Sequence, residues 1–182
     1  MRILMILLPN SGSGVDLAPS VLTLDAVARS FYVLRDFGAE VVLASLAGGF
    51  VPVDRPDLGE TTGQDALKRF KGDHAAREAL GDTVALGDVY TDDFEAALCI
   101  GSWATDKGTC RPDAVAGLVE AFKMAGKHVS MVLPDAAGAT CDGGSSLQLT
   151  GAGARTPELA ATILLEAVDG GGRRPPREET SA

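Results

Sequence analysis

Short continuous apolar runs alternate along this chain with longer segments whose apolar residues have helical spacing. Such runs are typical of strands covered on both faces, and they occupy residues 3–8, 41–46, 95–100 and 129–133. Helical spacing occupies residues 21–37, 64–80 (interrupted at Gly72), 112–125 and 157–168, and short edge strands are expected at residues 83–86 and 146–150. The alternation predicts one α/β domain, with a doubly wound parallel sheet and helices on both faces.

The C-terminal end has a different composition. Residues 170–172 are three glycines, and residues 173–182 hold two prolines and five charged residues. A segment with so few apolar side chains cannot bury enough surface to fold. We therefore expect a folded domain over residues 1–169 and a disordered tail over residues 170–182.

Net charge and motif content narrow the choice of partners. Sixteen basic against twenty-five acidic residues give a formal charge of −9, which argues against nucleic acid and anionic membranes. No apolar run reaches the roughly 18 residues of a membrane helix, and the apolar start is too short for a signal peptide and lacks a cleavage pattern. We expect a cytoplasmic protein that binds a small molecule, without a metal or other cofactor.

The run that ends at Leu133 is the strongest indicator of a site. Pro134 removes a backbone donor and should end the strand there, which puts Asp135 at the carboxyl edge of the sheet. Ligands of open α/β sheets bind at that edge. Asp135 could act there as a base or hydrogen-bond acceptor, or it could be a turn residue that binds its own backbone.

Two other strand exits carry candidate ligand contacts. Gly101, Ser102 and Trp103 follow the third long strand, and an aromatic wall suits a planar or apolar small molecule. Asp16 lies in the exit segment of the first strand, after the glycines at 12 and 14. Those glycines only weakly suggest a phosphate-binding loop, because the third glycine of a dinucleotide fingerprint is missing.

Several segments in order resemble the ThiJ/PfpI superfamily, the class I glutamine-amidotransferase-like fold, and its chaperone/glyoxalase branch. Residues 31–45 are similar to that branch's helix-to-strand passage, residues 48–54 to its Gly-Gly turn, and residues 93–101 to the strand before its glycine-rich loop. The segments at 126–129 and 147–151 also match. The resemblance as a whole covers most of residues 1–168. The resemblance implies a flavodoxin-like sheet and a homodimer.

The departures from that family concern the chemistry. Leu133 stands where the family has its nucleophilic cysteine, and a leucine cannot attack a carbonyl. Asp25 lies one place from the position expected for the supporting glutamate, and Gly101-Ser102-Trp103 replaces the loop that helps to hold an oxyanion. Only about a dozen residues separate Asp135 from the last strand, so the helix behind the nucleophile should be missing or reduced to a turn.

The three cysteines have no paired spacing, which argues against a disulfide framework or a zinc site. Cys99 lies inside an apolar strand and is expected in the core. Cys110, before a helix start, and Cys141, just past the strand that ends at Leu133, are each either a replacement nucleophile or a plain loop thiol. Neither histidine completes a recognisable triad.

Two functions remain open from the sequence. One is a lyase, hydratase or cyclase acting on a small carbonyl or polyketide-like metabolite, in which Asp25 and Asp135 are catalytic and Ser102, Trp103, Asp16 and Gly101 bind the substrate. The other is a non-catalytic family member that serves as a binding or assembly protein. Convergence of the acids and Trp103 on an enclosed pocket would favour the first.

Overall fold

The computed structural model describes residues 1–8, 22–53, 64–101, 113–133, 140–142, 146–150 and 155–172. The strands in these ranges are β1 (Arg2–Leu8), β2 (Glu40–Ser45), β3 (Val84–Ala85), β4 (Ala96–Gly101), β5 (His128–Leu133), β6 (Thr140–Asp142) and β7 (Ser146–Thr150). The helices are α1 (Leu24–Asp36), α2 (Gln64–Gly72), α3 (His74–Gly81), α4 (Asp113–Met124) and α5 (Arg155–Gly172). Two single 3₁₀ turns, Leu86–Asp88 and Thr91–Asp93, connect β3 to β4.

All seven strands form one sheet in the order β3-β2-β1-β4-β5-β7-β6. The five central strands, β2-β1-β4-β5-β7, are mutually parallel, and only the edge strand β6 runs antiparallel to its neighbour β7. This is the flavodoxin-like, doubly wound single domain expected from the alternation of apolar runs and helices.

The interrupted helical segment forms two helices, α2 and α3, as expected at Gly72. The structure departs from the prediction in two other elements, β6 and α5. The three-residue strand β6 was not predicted, because so short an edge strand carries no readable period. Helix α5 continues to Gly172, the third residue of the predicted tail, although glycine has a low helix propensity. Residues 173–182 lie outside the described residues.

Each face of the sheet has its own apolar layer. On one face, α1 and α5 cover the sheet and α2 and α3 pack beside α1, with Phe70 and Leu80 in the same cluster. On the other face, α4 contributes Val115, Val119 and Phe122, and the segment between β3 and β4 contributes Leu86 and Phe94. Among the described helices, none combines the length and apolar character needed to cross a bilayer.

One carboxylate fixes the corner between α2 and α3 onto α1. The Asp73 carboxylate accepts from the Ala76 N–H (3.1 Å) as the cap of α3, and also from the Tyr32 hydroxyl (3.1 Å) and Arg35 (2.8 Å) on α1. Burial, together with the hydrogen bond to Asp73, raises the pKa of Tyr32 above its usual value. The helices inserted between β2 and β3 are therefore held against α1.

The central strands β1 and β4 stay paired up to their carboxyl ends, where Leu8 pairs with Gly101. The backbone of Gly101 has a φ of +126°, and a Cβ built on it would lie 1.9 Å from the carbonyl oxygen of Leu8. Any side chain at this position therefore meets rigid backbone as well as an unfavourable conformation. Glycine is required here by geometry.

We predict that Gly101→Ala destabilises the protein by more than about 4 kcal/mol or prevents folding, because strand backbone must move to admit the methyl group. The matched control is Gly117→Ala on α4, where nothing lies within 4 Å of the added Cβ. That change should stabilise the protein by about 0.5–1 kcal/mol through helix propensity. Urea unfolding of the two variants measures both effects, and a Gly101→Ala midpoint close to wild type would contradict the prediction.

Candidate functional site

Three adjacent strands end level with one another at the carboxyl edge of the sheet. Leu8 of β1 pairs with Gly101 of β4, and Ile100 pairs with Val132, so that Gly101 and Leu133 are the next residues along β4 and β5. Neighbouring strands are about 4.8 Å apart, so the three segments that follow them start from points about 10 Å apart at most. The strand order reverses between β1 and β4, and ligands of doubly wound sheets bind at such a switch point.

The predicted site residues follow these three strand ends. Asp16 belongs to the segment after β1, Ser102 and Trp103 to the segment after β4, and Asp135 to the segment after β5. These four residues lie outside the described part of the chain, so the structure locates the starting points of their segments and not the residues themselves. Of the predicted residues, it describes Gly101, which ends β4, and Asp25.

Asp25 lies in the first turn of α1, which begins at the carboxyl edge because it follows β1 and runs back along the sheet. Thr23 caps this helix by accepting from the Ala26 N–H at 3.2 Å. An acidic residue in a first turn also interacts favourably with the helix dipole. Asp25 is only 9% exposed, so its carboxylate depends on partners within the protein.

Arg29 provides that partner and joins α1 to α5. Its Nε donates to Oδ2 of Asp25 at 2.8 Å, and its Nη1 donates to Oε2 of Glu158 at 3.2 Å. The Asp25 and Arg29 side chains are 12% and 11% exposed, whereas Glu158 is 39% exposed. Burial alone would lower the pKa of the Arg29 guanidinium, but its hydrogen bonds and charge interactions with Asp25 and Glu158 outweigh burial and raise it.

This arrangement places two carboxylates and one guanidinium where two helices begin. Glu158 lies in the first turn of α5, so both acids are near helix N-termini and Arg29 lies between them. The group can hold the Asp25 carboxylate in a fixed orientation beside the end of β1. Sequence reasoning missed Arg29 and assigned Glu158 only to a helix start. The four-residue spacing from Asp25 to Arg29 was a readable signal, whereas the 129-residue separation of Arg29 from Glu158 gave none.

Two of the cysteines lie away from this edge. Cys99 is fully buried in β4, in the apolar layer beneath α4. Cys141 in β6 pairs with Leu147, which pairs in turn with Ser130. Its backbone is thus two strands, or about 10 Å, from β5 across the sheet. Along the strand direction it lies a further ~10 Å before the level of Leu133. Cys110 lies outside the described residues.

Within the described ranges, no group of three histidine, cysteine, aspartate or glutamate side chains is arranged to hold a metal ion. Asp25, Arg29 and Glu158 form the charged group described beside the end of β1.

Similarity to known proteins is found in solved structures and not in sequence comparisons. No protein-family model matches the chain, and no curated protein gives a significant match. The Rapid Encystment Protein 24 kDa of Francisella tularensis has a similar structure, with a TM-score of 0.70, 11% identity, and coverage of 92% of this chain and 98% of that one. Glyoxalase III of Candida albicans has a TM-score of 0.62, 11% identity, and coverage of 91% and 96%.

A ThiJ/PfpI domain protein of Brachyspira murdochii is similar at a TM-score of 0.59 and 11% identity, over 93% of this chain and 96% of that one. The chain has the ThiJ/PfpI fold. The match runs over nearly the whole length of each chain. At these identities the likeness is one of fold.

We predict that Arg29→Met lowers the free energy of unfolding by about 2–4 kcal/mol, because it leaves the buried Asp25 carboxylate without its cation. Adding Asp25→Leu should recover part of that loss, since the uncompensated charge is then removed. Arg69→Met, which breaks the exposed pair with Asp36, is the control and should cost much less. Urea unfolding measures the free energy of unfolding of each variant. Equal losses in the two single variants would show that the Arg29 pair stabilises the protein no more than the exposed pair does.

Proposed function

We propose that this chain is a divergent ThiJ/PfpI protein that acts on a small carbonyl or polyketide-like metabolite by acid–base rather than cysteine chemistry. The reaction is of the lyase, hydratase or cyclase type. The observation that carries the proposal is the set of level ends of β1, β4 and β5 beside the buried Asp25 carboxylate. A similar fold occurs in a protein named as a glyoxalase, which supports a small carbonyl compound as the substrate class.

The positions of the cysteines support chemistry without a thiolate. The strand that carries the family's nucleophile ends here in Leu133. Cys99 is buried in the core, and the register of β6 sets Cys141 well away from the end of β5. A carbonyl substrate at this edge would then be activated by proton transfer and hydrogen bonding, which need only positioned acids and bases.

The two acids take different roles in this proposal. Asp135, two residues after the end of β5, removes a proton from the carbon next to the substrate carbonyl and gives it to the departing hydroxyl, which leaves as water. In hydration the same steps run in reverse, so Asp135 takes a proton from the attacking water and gives it to that carbon. Asp25, whose Oδ2 already accepts from Arg29, orients the substrate as a fixed hydrogen-bond acceptor. Ser102, Trp103, Asp16 and Gly101 form the walls around the substrate. Reactions of this type include loss of water from a β-hydroxy ketone, addition of water to a conjugated enone, and ring closure.

One observation favours the second candidate, a non-catalytic binding or assembly protein. The Asp25 carboxylate is committed to an ion pair that joins α1 to α5, which is a structural task in itself. A protein that kept the fold and lost the chemistry would keep such a pair. The two candidates differ in whether a bound carbonyl compound is converted.

We predict no cysteine-dependent consumption of methylglyoxal by this protein. The measurement compares wild type with a variant in which Cys99, Cys110 and Cys141 are all replaced by serine. Both should show the same low rate, because β5 ends in Leu133 and not in a cysteine. Robust turnover by wild type that disappears in the triple variant would show that another cysteine has taken over the nucleophile's role.

We predict that Asp135→Asn leaves the stability unchanged within about 0.5 kcal/mol, since asparagine is an equally good turn residue, and lowers turnover of a β-hydroxy ketone about 10²-fold or more. The formation of the conjugated product is followed by its ultraviolet absorbance. Asp88→Asn, at an exposed site between β3 and β4, is the matched control and should be silent. Binding without turnover in wild type would favour the non-catalytic candidate, and an active Asp135→Asn variant would end the catalytic role of Asp135.

A further inference from the structure

The guanidinium of Arg29 is the kind of group that binds an anionic substrate, because its planar set of N–H donors matches the oxygens of carboxylates and phosphates. Arg29 lies in α1, one turn after Asp25, beside the carboxyl edge. In this protein two carboxylates of the chain accept from it. Nε donates to Asp25 at 2.8 Å, and Nη1 donates to Glu158 at 3.2 Å. A substrate anion would therefore compete with these two carboxylates for the donors of Arg29.

The two carboxylates differ in what they contribute. Asp25 belongs to the same helix as Arg29, and both of these side chains are mostly buried. Glu158 comes from α5 and is 39% exposed, so it is the partner that faces solvent. Asp25 alone neutralises the guanidinium. Glu158 therefore adds a second negative charge that the buried pair does not need, and it leaves the group of three side chains negative.

Glu158 also offsets the positive end of α5. The first N–H groups of a helix and its dipole attract anions, and a carboxylate in the first turn weakens that attraction. Glu158 lies in the first turn of α5, as Asp25 lies in the first turn of α1. Both helices begin at the carboxyl edge, because each follows a parallel strand of the sheet. The guanidinium and the two helix ends beside β1 thus each have a carboxylate of the chain next to them.

The other charges that the topology brings to this edge do not favour an anion either. They belong to the segments after β1, β4 and β5 and to the first residues of α4 and α5. These hold three basic residues, Lys107, Arg111 and Arg155, against four aspartates. The charge preference beside β1 therefore depends on the group around Arg29, in which Glu158 is the acid without a cation of its own.

We propose that Glu158 is a specificity-determining residue that keeps anionic substrates away from the Arg29 guanidinium. It occupies a donor that a carboxylate or phosphate would use, and its charge repels both. This inference rests on the proposed function and narrows its substrate class to carbonyl compounds that carry no negative charge beside the end of β1. An uncharged ketone binds there while Arg29 stays paired with Asp25 and Glu158, whereas α-oxo acids and phosphorylated ketones are rejected.

The test uses two ligands that differ in one group. The β-hydroxy ketone 4-hydroxybutan-2-one has a methyl group where the oxo acid 4-hydroxy-2-oxobutanoate has a carboxylate. Their dissociation constants are measured by NMR titration at low ionic strength, because salt screens exposed charges. Wild type should bind the ketone at least about tenfold more tightly than the oxo acid. Glu158→Ala should bind the oxo acid at least about tenfold more tightly than wild type does, because a charge-assisted hydrogen bond to Arg29 becomes available. Its affinity for the ketone should be unchanged.

Glu166→Ala is the matched control, because it removes the same charge from an exposed site on the same helix, about 12 Å further along its axis. It should bind both ligands as wild type does. Glu158→Gln keeps an oxygen acceptor for Arg29 and removes only the charge, so it should show a smaller gain of the same sign, and it replaces Glu158→Ala if that variant does not fold. Equal affinities of wild type for the two ligands, or no gain in oxo-acid affinity over the Glu166→Ala control, would overturn the proposal.

Failure of this inference can be told apart from failure of the proposed function. A wild type that binds neither ligand would contradict the proposed substrate class. The comparison of Glu158→Ala with Glu166→Ala still decides the role of Glu158, because it depends only on the gain in affinity for the oxo acid.

Discussion

The contact between the carbonyl of Leu8 and the backbone of Gly101 is the constraint on which the rest of the structure depends. There is no room for a side chain between the ends of β1 and β4, so these two strands pair without interruption up to the point where the strand order reverses. Because β5 follows β4 in register, its end at Leu133 lies level with both. With glycine at this position, β1, β4 and β5 end at the same level, side by side at the carboxyl edge.

The ion pairs of Arg29 act on the same edge from the helix layer. Strands supply the starting points of the loops, but the first turns of α1 and α5 lie above them and could shift against each other. Arg29 joins Asp25 in one first turn to Glu158 in the other, with most of the Asp25 and Arg29 side chains buried. A buried pair of this kind is weak evidence for net stability but strongly fixes geometry, because separating it leaves an uncompensated charge. The wall of the site beside β1 is therefore rigid, whichever function the protein has.

The fold was largely predictable from sequence, and the site only in outline. Residues 3–8 and 96–100 are apolar without interruption because both faces of β1 and β4 are covered, and that pattern is readable. The strand β6 was not readable from the sequence, because three residues at a sheet edge are too few to show a period. The carboxyl-edge location followed from Pro134 ending β5. The link from Arg29 to Glu158 could not be predicted, because it depends on how α1 and α5 pack side by side. Local sequence does not encode that packing.

The central claim is that a small carbonyl compound binds outside the joined ends of β1, β4 and β5, without a thiolate. The most direct test is a crystal structure of wild type soaked with a β-hydroxy ketone. The account predicts ligand density at that edge, within hydrogen-bond reach of Asp25 or Asp135, with no covalent bond to any cysteine. Density bonded to a cysteine sulfur, or a ligand bound elsewhere while this edge is filled by apolar side chains, would contradict it.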